Sequence, residues 1–521
     1  MKKFFSLLFL VSLLYSCSGT KSATVTQPAE AKKTVSDYAG TITETELKHD
    51  LYIYASDEFE GRDTGEPGQK KAVEFLKNRY ESLGISGALP DGKYIQKVPL
   101  ERQVSPEITF TLGDKSFKKT DDFVSFSGSD GTLTADEVVY LGYGINDEKY
   151  NDYKDIDVKD KIILIKSGEP KNDDGNYIIS GGPEISKWSN MQQEFQTKAE
   201  VAKKAGAKAL LFYSPAIYGM VAQRFGNDDS GKLSLKDDNN QENGNYFLMV
   251  NTSVAETIVN DIADNAKPKV IPIRFNLSYS SKGSEIDSEN VVAVIKGSEK
   301  PQEYIVISSH LDHIGMSNGQ IYNGADDDGS GTVALLQIAE AFKKAVENGQ
   351  GPKRSVVFLH VTGEEKGLLG SKYYTDVDPI FPLDQTVANL NIDMIGRIDP
   401  ERKSDNRNYV YLIGSDKLST QLHNISEEMN TKYTQLELDY TFNDENDPNR
   451  FYYRSDHYNF AKNNIPIIFY FSGTHADYHQ PSDTPDKINY DLLEKRTRLI
   501  FYTAWELANR TNRIAVDVEV D

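Results

Sequence analysis

Cysteine is almost missing from this chain: one in 521 residues, at position 17. A disulfide framework is excluded, so stability must come from apolar cores. Positive charge is also short. With 58 Lys and Arg against 79 Asp and Glu, the formal net charge is −21. No basic run is dense enough to clamp phosphates, and no nucleic-acid partner is expected. Beyond the first sixteen residues no stretch is apolar enough to cross a membrane. What remains is 38% apolar residues with many aromatics, over a length that calls for two or three folded units.

The N-terminus stands apart. Lys2 and Lys3 precede an apolar run, Phe4–Leu14, too short to span as a mature helix. Cys17 follows at once in LLYSC, which resembles a bacterial lipobox, with Tyr15 the unusual residue within it. The resemblance implies cleavage before Cys17, lipidation there and attachment to the envelope; the residues that follow, SGTKSA, carry no acidic cluster to mark surface export, so the periplasmic side is expected ahead of the cell surface. An ordinary signal peptide with an incidental cysteine is the other reading. Residues 18–43 are expected to be a flexible tether, since 18–40 are small, polar and Pro-containing.

From Glu44 to Gly84 the apolar spacing predicts helices, with the loop FEGRDTGEPGQ between them. After Ser288, strand-like runs (NVVAVIKG, YIVISSH, SVVFLHVTG, VANLNIDMIG, YVYLIG, IPIIFYFSG) are joined by helical and loop segments such as TVALLQIAEAFKKAVENG. This predicts an α/β unit, a mostly parallel or mixed central sheet with helices on both faces. Residues 120–286 read as a separate β-rich insert, leaving 44–119 and 287–521 as the larger unit.

Five strings sit at expected strand ends: SSHLDHIG, NGADDDGSG, TGEEKGLLGS, NIDMIGR and DYHQPSDT. Each offers an imidazole or carboxylate, the groups that hold hydrolytic zinc with a position left open for water. Ligands of such sheets gather beyond the carboxyl ends of the strands, so residues far apart in sequence can converge. Each string also has a plainer reading. His310 could be a buried hydrogen-bonding histidine, and Asp326, Asp327 and Asp328 could cap a helix. Glu364 and Glu365 are neighbouring acids, as metal-assisted hydrolysis needs: one to ligate, one to move a proton.

Taken in order, these strings closely resemble the co-catalytic zinc aminopeptidases, a family that also holds glutamate carboxypeptidases and divergent glutaminyl cyclases. The resemblance implies two Zn²⁺ ions, one held by His310 and Asp393, the other by Glu365 and His479, with Asp327 bridging. Asp327 is chosen among three aspartates by its place two residues before Gly329. Glu364 would be the general base, Asp312 would orient His310, and Tyr478 would donate to the developing oxyanion. Arg454 resembles an arginine used near the substrate carbonyl or product carboxylate; a surface ion pair is its other reading. Within the insert, VVYLGYGI, KIILIKSG and KKAGAKALLFYS resemble the protease-associated domain, which implies a part in substrate access. The expected activity is removal of N-terminal residues from peptides with a free amine. A carboxypeptidase or dipeptidase would use the same zinc set. A one-zinc cyclase or an inactive scaffold fits a complete set less well.

Overall fold

The computed structural model describes residues 32–102, 104–191, 193–226, 231–236, 245–281 and 283–518. The leader, Cys17 and residues 18–31 of the expected tether lie outside them. Among the described residues, no helix is long and apolar enough to cross a membrane.

The apolar runs after Ser284 build a ten-stranded sheet. Its centre holds four parallel strands in the order Arg354–Val361, Lys300–His310, Thr386–Ile392 and Ile467–Phe471. Antiparallel neighbours flank them: Ser284–Ile295 and then Ile95–Arg102 on one side, Tyr409–Ile413 on the other. Alternation along a strand sends successive side chains to opposite faces, and both faces are covered here. Val291, Ala293 and Ile295 join the core beneath the helices Gly331–Glu347 and Tyr490–Asn509, while Val292 and Val294 join a second core with Tyr374 and Phe460. Phe342 anchors the first core, 5.1 Å from the Phe501 ring and 5.6 Å from Trp505. Truncating a side chain so buried costs about 3–5 kcal/mol.

The insert has two sheets. Val138–Tyr140, Ile162–Lys166, Ala209–Tyr213 and Tyr246–Val250 run parallel at the heart of a six-stranded sheet. An antiparallel four-stranded sheet packs over one face through Phe110, Phe275 and Leu277. The helix Glu194–Lys204 covers the other, after which Gly206 turns at φ +82° into the strand Ala209–Tyr213.

Two expected boundaries differ. A division at 119/120 places Glu107–Leu112 and Lys115–Phe117 in the larger unit, yet Glu107–Leu112 pairs with Phe275–Ser280 of the insert and Lys115–Phe117 pairs with Glu107–Leu112. Alternating strands look alike in sequence, and only the partner decides the unit. Conversely, Leu233–Leu235 of the insert extends the large sheet by pairing with Ile95–Arg102. The expected tether also ends early. Val35–Ala39 is helical, Tyr38 and Ile42 are buried, and Tyr38 stacks on Trp505 at 5.6 Å.

Candidate metal centre

The four parallel strands end on one rim, and four of the five strings lie at or after those ends; the fifth, the aspartate string, instead follows the hairpin strand Gln320–Tyr322, outside the large sheet. His310 closes its strand in register with Val361, two and three residues before Gly363 and Glu364. Asp393 follows Ile392, and His479 stands in the loop after Phe471. Convergence of these four is therefore a consequence of parallel pairing.

The three aspartates divide the work. Asp326 accepts from Gly396 N at 2.6 Å and faces His475 Nε2 at 3.2 Å. Asp328 spends both oxygens on backbone amides, those of Gly331, Met394 and His310. Asp327 turns its carboxylate between His310 and His479: Oδ1 is 3.2 Å from His310 Nε2, and Oδ2 is 3.0 Å from His479 Nε2. Asp393 Oδ1 stands 3.6 Å from His310 Nε2, and Glu365 Oε2 stands 3.2 Å from His479 Nε2. Donor atoms around a tetrahedral zinc, with bonds of about 2.0–2.1 Å, are roughly 3.3 Å apart. The spacing suits two ions sharing Asp327.

The orphaned atoms give the same answer. His310 Nδ1 faces the backbone carbonyl of Asp312 at 3.0 Å, which leaves Nε2 as the lone-pair nitrogen, buried and without a hydrogen-bond partner. A cation between Nε2 and the carboxylates would satisfy it. Electrostatics agree: burial pushes the Asp327 carboxyl up, but the imidazoles of His313, His310 and His479 hold it well below its usual range.

Asp312 does something other than expected. Its carboxylate lies 3.9 Å from His310 Nδ1, beyond hydrogen-bond reach, and the orienting oxygen is its backbone carbonyl. The side chain instead accepts from Thr64 Oγ1 at 2.7 Å and from Glu364 N at 3.2 Å, so it steadies the backbone of Glu364. A two-residue step along an extended chain puts side chains on one side but leaves their reach undetermined.

Asp393 is held from behind by a directed chain. Asn389 donates to Ser308, Ser308 to Asn391, Asn391 to Ser455, and Ser455 Oγ to Asp393 Oδ2 at 2.7 Å. Glu364, Tyr478 and Arg454 line one pocket with Asp327 and Asp393, and Met394, Phe451, Phe469 and Phe471 supply its apolar wall. Burial raises the Glu364 carboxyl well above its ordinary value. Burial and the carboxylates of Asp327 and Glu365 raise the Tyr478 hydroxyl, so it stays a donor. Its ring stacks on His479 at 3.9 Å. Arg454 lies over the Phe451 ring at 4.9 Å and makes no ion pair among the described residues.

Sequence reasoning missed the brace. Arg62, in the loop FEGRDTGEPG, is fully buried and donates to the carbonyls of Leu311, Tyr54, Asn323 and Gly324. It ties the His310 loop to the loop that leads into the aspartates. His313 was missed as well, although it stands three residues after His310; it is buried beside Glu365.

Among known proteins, a probable glutamate carboxypeptidase of Arabidopsis thaliana is 32% identical over 142 residues, 27% of this chain and 20% of that one. A probable leucine aminopeptidase 2 of Aspergillus oryzae is 25% identical over 412 residues, covering 73% and 68%. This chain thus spans about a fifth of the first relative's length. The solved structure of an aminopeptidase from Aneurinibacillus sp. strain AM-1 aligns with 94% of this chain and 99% of its own, at 19% identity and a TM-score of 0.47. Residues 131–258, within the insert, match the PA domain. Residues 290–504, which carry every candidate ligand from His310 to His479, match Peptidase family M28.

Proposed function

We propose that this protein is a zinc-dependent exopeptidase, an aminopeptidase that hydrolyses the N-terminal peptide bond of its substrates. The observation that carries the reading is Asp327, whose two oxygens each face a different imidazole, His310 at 3.2 Å and His479 at 3.0 Å. Two zinc ions held by His310, Asp393, Asp327, Glu365 and His479 would polarise the scissile carbonyl and make water acidic enough to attack. The chain's own groups do the rest. Glu364 takes a proton from the attacking water and returns it to the leaving amine, and its raised affinity for protons suits that shuttle. Tyr478 donates its hydroxyl proton to the developing oxyanion. The free amine of the substrate meets the carboxylates of Asp393 and Glu364. The side chain of the first residue enters against Met394, Phe451 and Phe471, which favours apolar residues.

The test is hydrolysis of aminoacyl-anilides by zinc-loaded protein lacking residues 1–17, with free and with acetylated amines. Cleavage of the free forms alone is expected, fastest for apolar residues. Cleavage of neither overturns the reading. Arg454, which lines the pocket and makes no ion pair among the described residues, favours a second reading, a carboxypeptidase or dipeptidase that grips a terminal carboxylate. Loss of cleavage when a dipeptide's C-terminus is amidated would select it.

The proposal extends to location. A lipidated Cys17 anchors the chain to the bacterial envelope, on its periplasmic side. Labelling with a palmitate analogue that disappears in C17A is the expected result.

A further inference from the structure

The two halves of the metal centre hold their outer carboxylate oxygens differently. In one half, Asp393 presents Oδ1 to His310, and its spare Oδ2 is fixed by the Ser455 hydroxyl at 2.7 Å. In the other, Glu365 presents Oε2 to His479, and its spare Oε1 stands 2.8 Å from His313 Nδ1. His313 thus occupies on the Glu365 side the place that Ser455 occupies on the Asp393 side.

Everything around His313 keeps it there. Its backbone N–H donates to the carbonyl of Arg62 at 3.2 Å, so the buried brace sets its position. The ring lies so close to Gly324 that a Cβ on that glycine would fall 2.5 Å from a ring carbon. The side chain is wholly buried and neither ring nitrogen makes a formed hydrogen bond; Nδ1 is the one that stands against a carboxylate, Glu365 Oε1, itself without a partner. A buried imidazole that satisfies nothing else in the protein is costly unless it serves the group it faces. Nδ1 also stands 3.7 Å from Asp327 Oδ2, the oxygen turned to His479.

We propose that His313 is a positioning residue of the metal centre: Nδ1–H fixes Glu365 Oε1 and thereby sets the zinc affinity of the Glu365/His479 half alone. Metal-bound carboxylates need such outer partners, and losing one typically costs about 10–100-fold in metal affinity. The inference rests on the two-ion reading above and adds an asymmetry to it.

The experiment is competitive zinc titration of metal-free protein lacking residues 1–17 against a chromophoric chelator, for wild type, H313A and H313N, with melting of each metal-free form. In H313A one ion should weaken about 10–100-fold while the other stays within about threefold. H313N places an amide N–H where Nδ1–H was and should restore both. Two unchanged affinities in H313A overturn the proposal. So does equal weakening of both ions with a lowered melting temperature, the mark of a merely structural histidine. A folded H313N that still binds one ion weakly also overturns it, because a group restored by no N–H donor would be a direct ligand. Should H313A not fold, H313N decides by the same criterion. Wild-type protein that takes up fewer than two ions would bring down the two-ion reading itself, and this inference with it.

Discussion

The insert and the larger unit both bury charge, and they treat it in opposite ways. In the insert, Lys198 Nζ donates to Glu194 at 2.7 Å and to the carbonyls of Gly168 and Lys166. Lys166 reaches two carbonyls at 3.0 Å, and Glu169 accepts from Ser186 and Ser189. Among the described residues of the insert, the Tyr153 hydroxyl is the one buried side-chain polar atom without a partner. At the rim of the large sheet, His310 Nε2, both nitrogens of His313 and Glu365 Oε1 all lack one. A buried group left unsatisfied costs about 1–3 kcal/mol, so a cluster of them persists only where something else completes it. Single orphans such as Tyr374 Oη and Thr386 Oγ1 are scattered through the larger unit, but at this rim unpartnered imidazole and carboxylate atoms stand against one another, as donors to an ion would.

The largest effect should come from this rim. Glu364 offers a carboxyl to the pocket without standing among the nearest donors to the imidazoles. Glu364→Gln keeps its size and a hydrogen-bonding end but cannot accept the proton. It should cut kcat about 10³-fold while zinc content, by elemental analysis, stays at the wild-type level. Near-normal turnover would remove Glu364 from the proton path, and lost metal would make it a ligand.

Next comes the brace between the loops. Arg62→Ala would strip the donors from four carbonyls at once and leave a cavity beneath the His310 loop. A stability loss of about 3–5 kcal/mol is expected by urea unfolding, with weaker zinc binding in both halves. That joint loss contrasts with the one-sided loss expected at His313. Arg62→Lys should recover little, since one ammonium cannot span carbonyls on three segments.

The contrast between the units also explains what the sequence disclosed. The parallel core was legible because strands buried on both faces are continuous apolar runs, as in SVVFLHV and VANLNI. Part of the site was legible because His310, Glu365 and Asp393 sit at or just after such runs, while Asp327 and His479 stand in loops further on. The brace was not, since Arg62 acts through backbone carbonyls that carry no sequence signal. The role of Asp312 misled because spacing reports the side of a chain and says nothing of reach. The insert's true start, at the strand Glu107–Leu112, was hidden because its partner Phe275–Ser280 lies over 160 residues away.

A smaller effect tests the oxyanion donor. The Tyr478 hydroxyl, kept protonated by burial and by nearby carboxylates, is expected to act on the transition state alone. Tyr478→Phe should lower kcat by about 3 kcal/mol or less, with little change in KM and none in zinc content. A change in KM without kcat would make it a substrate-binding group.

The smallest effect belongs to the insert. Asp152 is buried there, where it accepts from Ile145 N at 3.0 Å, and burial raises its carboxyl to about 6. Unfolded, it would titrate near 4. Between those values the folded chain holds a proton that the unfolded chain has released, so stability falls as pH rises through that window. Asp152→Asn keeps the acceptor and removes the titration. The amides of Ile162–Lys166 should exchange more slowly in the variant at pH 7, by about 1–2 kcal/mol of protection. Below pH 4 the two proteins should be alike, because both then carry a neutral side chain. Equal protection at pH 7 would mean that Asp152 is ionised at little cost.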